Sequence, residues 1–103
     1  MLKILKNIFK KNTIHYAELV KNGAIILDVR SKSEYEKGHI KNAINIPVNE
    51  LENQLLLLKD KDKVMITCCA SGVRSALAKN ILKRNLYTKV YNGGAWTSLQ
   101  KKL

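Results

Sequence analysis

At 103 residues the chain can hold one domain with a single core, and little more. A hydrophobic fraction of 46%, one proline and five glycines exclude a linker-like or low-complexity chain, and two cysteines cannot make a disulfide framework. The net charge of +11 is uneven: residues 1–62 hold eleven Lys or Arg and all eight acids, net +3, whereas residues 63–103 hold eight basic residues and no acid, net +8.

Residues 1–11 carry Leu2, Leu5, Ile8 and Phe9 at helical spacing with lysines between them. This predicts a short amphipathic, basic extension over residues 1–12, packed on a domain over 13–103; contact of residues 1–11 with a membrane surface is the lesser alternative. The stretch has no apolar run fit for a secretory signal, so a cytoplasmic protein is expected. TIHYAELVKNG reads as a short strand start and a helix closed by Gly23. Ala24–Val29 is a continuous apolar run, as expected of a strand covered on both faces. Ser31 and Glu34 match a capping box, opening a short helix that Gly38 stops. Residues 43–47 read as a strand ended by Pro47, 50–58 as a helix, and 64–68 as a further apolar strand. Residues 75–86 form the clearest helical pattern, with Ala76, Leu77, Ile81 and Leu82 apolar. Val90-Tyr91 is a short strand, Gly93-Gly94 a turn, and 95–101 a last helix. This alternation predicts an α/β fold: a mainly parallel sheet of about five short strands with helices on both faces.

In such sheets ligands gather where a strand passes into a helix, and ITCCASGVRS is such a junction. Between the strand and the helix the backbone must curl, and Gly72 permits the dihedral this needs. A curled loop aims successive N–H groups inward, and the following helix adds its positive end. Cys69 at the mouth of that ring would be ionised. Ionisation near neutral pH requires stabilising the thiolate by about 1.4 to 2.7 kcal/mol, within reach of a few amide donors. Arg74 adds a permanent charge with a planar fork suited to oxyanions. Alternate strand residues face opposite sides, so Cys68 should diverge from Cys69 and serve as a small buried hydrophobe. His15 and His39 are isolated and no ligand pair has zinc-like spacing, so neither a metal nor a cofactor is expected.

Three stretches together resemble the rhodanese family, from about Thr13 to Leu99. LDVRSKSEYEKGHIKNAINIP resembles its first signature through Asp28, Arg30, Glu34, Tyr35, Gly38, His39, Ile40, Ala43, Asn45, Ile46 and Pro47. CASGVRS resembles the active-site loop, comprising Cys69, Ala70, Ser71, Gly72, Val73, Arg74 and Ser75. NGGAWTSL resembles the C-terminal signature through Gly93, Gly94 and Trp96. The resemblance implies a rhodanese-type thiosulfate sulfurtransferase. Cys69 would take a sulfane sulfur from thiosulfate or a persulfide donor, and pass it to a thiophilic acceptor by double displacement. It further implies that Arg74 attracts the donor and fixes the loop by pairing with a carboxylate, Glu34 first and Asp28 second. Asp28, Arg30 and Glu34 are supporting residues, and His39 stabilises a turn. Cys68 departs from the family pattern, in which many relatives carry an aromatic or aliphatic residue before the nucleophile.

The expected partners are a small anionic sulfur donor and a thiol or protein sulfur acceptor. Direct nucleic-acid binding is not expected, because no aromatic residues are interleaved among the lysines. Two other functions fit parts of the pattern. A Cys-dependent phosphatase or arsenate reductase also places Cys before Arg, but with five residues between them; here there are four, Ala70 to Val73. A non-catalytic rhodanese-like binding module keeps the fold without the reaction, although retention of Cys69, Gly72 and Arg74 together speaks for chemistry.

Overall fold

A computed structural model describes residues 13–103. The amphipathic helix expected over residues 1–11 lies outside the described residues. Among the described residues, four parallel strands form one sheet: β1 (Ile25–Asp28), β2 (Ile44–Asn45), β3 (Met65–Cys69) and β4 (Val90–Ala95), in the order β2-β1-β3-β4. The helices are α1 (Tyr16–Lys21), α2 (Lys32–Glu36), α3 (Val73–Arg84) and α4 (Trp96–Lys101), with a 3-10 segment over Val48–Leu57. About five strands were expected, and the difference lies at Thr13–His15. There the His15 carbonyl already accepts the Leu19 N–H at 3.1 Å, so the stretch is spent on starting α1.

The continuous apolar runs in β1 and β3 have a direct structural cause, because both strands are interior and both of their faces are covered. Ile25, Leu27, Met65 and Cys69 face a cluster built with Leu51 and Leu58 of the 3-10 region and Ala78, Ile81 and Leu82 of α3. Ile26, Ile66 and Cys68 face a second cluster built with Tyr16 of α1, Tyr35 of α2 and Leu99 of α4. The two adjacent cysteines therefore sit on opposite sides of the sheet, as strand alternation requires. Among the described residues no helix is long and apolar enough to cross a membrane.

Two local readings are corrected. Residues 48–57, read as a helix over 50–58, wind as a 3-10 segment broken at Gln54 (φ −121°, ψ 21°), with Leu51, Leu55 and Leu58 all packed in the core. Gly93 and Gly94 do not make a turn but lie within β4. Between Thr67 and Cys69 the sheet register slips: β3 advances two residues while β4 runs from Asn92 to Ala95. A Cβ on Gly93 would meet Ile66 Cγ2, Leu99 Cδ2 and the Thr67 carbonyl oxygen, each at 2.9 Å. The side chains can shift, but the carbonyl belongs to the central strand and cannot. Gly93→Ala should therefore cost about 1 to 3 kcal/mol by overpacking, read as a Tm lower by about 4 °C or more for a domain of this size. A Tm within a degree of wild type would contradict the packing described.

Candidate functional site

β3 carries Cys69 to the end of the sheet, where the chain turns through Ala70 and Ser71 to Gly72. Gly72 has φ +106°, a left-handed value that other residues resist, and it forms the N-cap of α3. No side chain caps this helix. The Cys69 sulfur takes that place instead. It accepts the Gly72 N–H at 3.0 Å and the Ser75 N–H, the third amide of the helix, at 3.4 Å. Unmet donors at a helix start are thus satisfied by sulfur rather than by a Ser or Asp oxygen. The Ser75 hydroxyl lies 3.5 Å from the same sulfur.

These contacts set the acidity of the thiol. Burial is the largest single influence on Cys69 and acts upward. The Ser75 hydroxyl and the amides of Ser75, Gly72 and Ser71 act downward and together outweigh it, holding the thiol below its ordinary value. Cys68 goes the other way. Burial, reinforced by the nearby Asp28 carboxylate, pushes its thiol up to about 12. Two neighbouring cysteines in one strand are thereby given opposite chemistry. Expected at the mouth of the ring, Cys69 instead lies on its floor with 0% of its surface exposed, while Ala70, Ser71 and Val73 are exposed. The covering atoms on this side include amide donors as well as apolar carbons.

Arg74 leaves the first turn of α3 and pairs with both Glu34 oxygens, at 2.7 and 3.0 Å. Glu34 is itself held by its capping box, accepting the Ser31 N–H at 3.2 Å while the Ser31 hydroxyl oxygen accepts the Glu34 N–H at 3.3 Å. The loop is thus tied to α2 by a bidentate clamp. Hydrogen bonding from Arg74, then from Ser31, lowers the Glu34 carboxyl from 4.5 to about 2. Because the folded value is depressed, the pair contributes stability above pH 4.5 and loses it as pH falls towards 2. Both side chains are over one-third exposed, at 36% and 37%. Solvent screening therefore limits the contribution to at most about 1 kcal/mol, less than that drop alone would suggest. Glu34→Gln should flatten the fall in Tm between pH 5 and 3 by a few degrees. An unchanged acid limb would show the clamp to be energetically silent.

Asp28, the second candidate partner for Arg74, is taken by Arg30 instead. Arg30 Nη2 donates to Asp28 Oδ2 at 2.7 Å and to the Gly38 carbonyl at 2.7 Å, its Nε reaches both carboxylate oxygens, and its guanidinium stacks over Trp96 at 4.6 Å. Both are buried, at 0% and 4% exposure. Asn45 Nδ2 braces this corner by donating to the Asp28 and Arg30 carbonyls at 3.0 and 2.9 Å. His39 binds the Tyr35 carbonyl through Nδ1 at 2.7 Å and stacks on the Tyr35 ring, a turn contact between residues four apart. The sequence reading missed Asn92, whose amide meets Ser75, Gly72 and Gly94. The available signal was a side-chain amide directly before a Gly-Gly pair, where an Asx side chain commonly turns back onto the backbone.

Comparison with known proteins identifies the family. The family model for the Rhodanese-like domain matches residues 11–99. The tRNA sulfurtransferase of Thermoplasma acidophilum is 35% identical over 80 residues, covering 78% of this chain and 15% of that protein. The putative sulfur carrier protein YrkF of Bacillus subtilis is 42% identical over 67 residues, covering 65% of this chain and 36% of that one. The chain thus spans well under half the length of these curated relatives. Among solved structures, rhodanese with anions from E. coli aligns with a TM-score of 0.70 at 32% identity, over 74% of this chain and 91% of that one. The human single-domain sulfurtransferase TSTD1 aligns with a TM-score of 0.71 at 29% identity, over 84% and 89%. With a matched signature over nearly its whole described length and a parallel sheet that superposes on these structures, the chain belongs to the rhodanese-like domain family.

Proposed function

We propose that this protein is a sulfurtransferase in which Cys69 carries a sulfane sulfur between a small donor and a thiol acceptor. One observation carries the reading: the Cys69 sulfur is the acceptor for the unmet amides at the start of α3. Donors placed in this way stabilise negative charge on sulfur without having to reorganise.

In the first step the Cys69 thiolate attacks the outer sulfur of thiosulfate or of a persulfide. A new S–S bond forms, the donor's S–S bond breaks, and sulfite or a thiolate leaves with the electron pair. Cys69 is then a persulfide anion whose outer sulfur carries the charge. In the second step an acceptor thiolate attacks that outer sulfur and Cys69 leaves as thiolate, so no external oxidant or reductant is needed. Arg74 positions the loop through Glu34 rather than offering a free fork to the donor. Relatives named as a tRNA sulfurtransferase and a sulfur carrier support sulfur transfer as the chemistry.

Intact mass after incubation with thiosulfate, and separately with a small persulfide, tests this. A gain of one sulfur atom that cyanide or a thiol removes is expected. No gain with either donor would leave the binding-module reading in its place. Phosphate release from a generic phosphomonoester at a rate matching sulfur turnover would favour the phosphatase reading, which the four-residue spacing between Cys69 and Arg74 disfavours.

A further inference from the structure

Asn92 stands on β4 opposite Thr67, half-buried beside the Cys69 loop. Its Oδ1 accepts the Gly94 N–H at 2.9 Å, a bond only the oxygen can accept, so the orientation of the amide is fixed. The same oxygen lies 2.6 Å from Ser75 Oγ, and Nδ2 donates to the Gly72 carbonyl at 3.4 Å. Since Oδ1 carries no hydrogen, Ser75 is the donor. A hydroxyl has one hydrogen, and the competing acceptor, the Gly72 carbonyl, is farther at 3.0 Å. With that hydrogen committed to Asn92, Ser75 Oγ presents lone pairs to the Cys69 sulfur 3.5 Å away. A neutral thiol can donate to those lone pairs. A thiolate gains from Ser75 only if the hydroxyl turns its hydrogen away from Asn92.

We propose that Asn92 is a positioning residue for Cys69 that acts through Ser75. By holding the Ser75 hydroxyl hydrogen, it competes with the Cys69 sulfur for the donation that, with the neighbouring amides, favours ionisation. The arrangement is held from both sides: Thr67 Oγ1 donates to the Ser75 carbonyl at 2.9 Å, and the Tyr16 hydroxyl donates to the Asn92 carbonyl at 3.3 Å. The proposal rests on Cys69 being the sulfur-carrying thiolate, and it names the residue that sets how readily that thiolate forms.

Among the described residues, the charged and titratable groups around the loop are Arg74 of α3 with Glu34 of α2, Cys68 of β3, and the Asp28–Arg30 corner at the end of β1. Tyr91 of β4 packs against the opposite face. Apart from Cys68, all are retained in every variant below. The test is an ultraviolet titration of thiolate absorbance in a Cys68→Ala background, which leaves one thiol and needs no sulfur donor. Asn92→Leu removes the acceptor and should lower the midpoint by about half a pH unit. Asn92→Asp strengthens the acceptor and adds charge, and should raise it by about one pH unit. In a Ser75→Ala background the Leu effect should vanish and the Asp effect should shrink by at least half. Shifts of the same sign, or shifts that survive Ser75→Ala undiminished, would overturn the proposal. Should Asn92→Leu fail to fold, Asn92→Asp, which keeps both accepted hydrogen bonds, decides alone by the second criterion. A chain that titrates as expected but takes up no sulfur would sink the sulfur-transfer reading and leave only the coupling of Asn92 to Cys69 ionisation, without its catalytic purpose.

Discussion

Cys69→Ser should abolish sulfur uptake, a loss of about a thousandfold or more in single-turnover loading, while Cys68→Ala keeps it within a factor of about three. A serine hydroxyl remains protonated near neutral pH and cannot form the persulfide, so no partial activity is expected from it. The two positions are adjacent, and each residue is fully buried. Proximity to the loop therefore cannot distinguish them. Their surroundings can. The Cys69 sulfur accepts two backbone N–H groups, whereas Cys68 lies among Ile26, Ile66 and Leu99 with its thiol pushed up to about 12. Alanine is preferred at position 68, because a serine hydroxyl among apolar side chains would cost about 1 to 3 kcal/mol and blur the comparison. Intact mass after exposure to thiosulfate or a persulfide reads both variants. A sulfur adduct on Cys69→Ser would move the nucleophile to Cys68 and undo the site as described.

Arg30→Ala should cost about 3 to 5 kcal/mol, because it leaves the Asp28 carboxylate buried without its countercharge. For a chain of 103 residues that is a large share of total stability. Loss of the guanidinium also frees the Gly38 carbonyl and uncovers Trp96, so the corner joining β1, α2 and α4 opens together. Lysine should rescue poorly, since a single ammonium cannot reproduce the fork on Asp28 and the stack on Trp96 at once. The double variant Asp28→Asn with Arg30→Met should be more stable than Arg30→Ala alone, because it leaves no buried charge. Urea unfolding of the three variants separates these effects. An Arg30→Ala protein within about 1 kcal/mol of wild type would mean that water reaches Asp28 and that the pair is not a structural anchor.

Much of this architecture was legible in the residues, for identifiable reasons. The apolar runs over 24–29 and 64–68 predicted strands, the first of them covered on both faces, because a largely apolar run lacks the alternation of a strand with one wet face. Ser31 and Glu34 predicted a helix start because a capping box is a local device, complete within four residues. What escaped was set by contacts distant in sequence. Gly-Gly ordinarily marks a turn, and only the Thr67 backbone, some 26 residues earlier, makes Gly93 a strand residue that leaves no room for a side chain. The partner of Arg74 lies 40 residues away, and the two candidate carboxylates were separated only by what Arg30 does. The covering of Cys69 was hidden as well, because residue types indicate which groups surround a sulfur and not how tightly the loop closes over it.

The register slip at the end of β4 works as a phase shifter. Side chains along a strand alternate between faces, and one supernumerary residue reverses that alternation for everything beyond it. Downstream of Asn92 the chain leads through Ala95 into α4, whose first residue Trp96 lies against the Arg30 guanidinium, and the glycines carry the extra residue without side chains of their own. Deleting either glycine would restore even pairing and change where the start of α4, and with it the indole, falls relative to Arg30. The spacing between Asn92 and Trp96 is therefore as much a part of the site as the residues at its two ends.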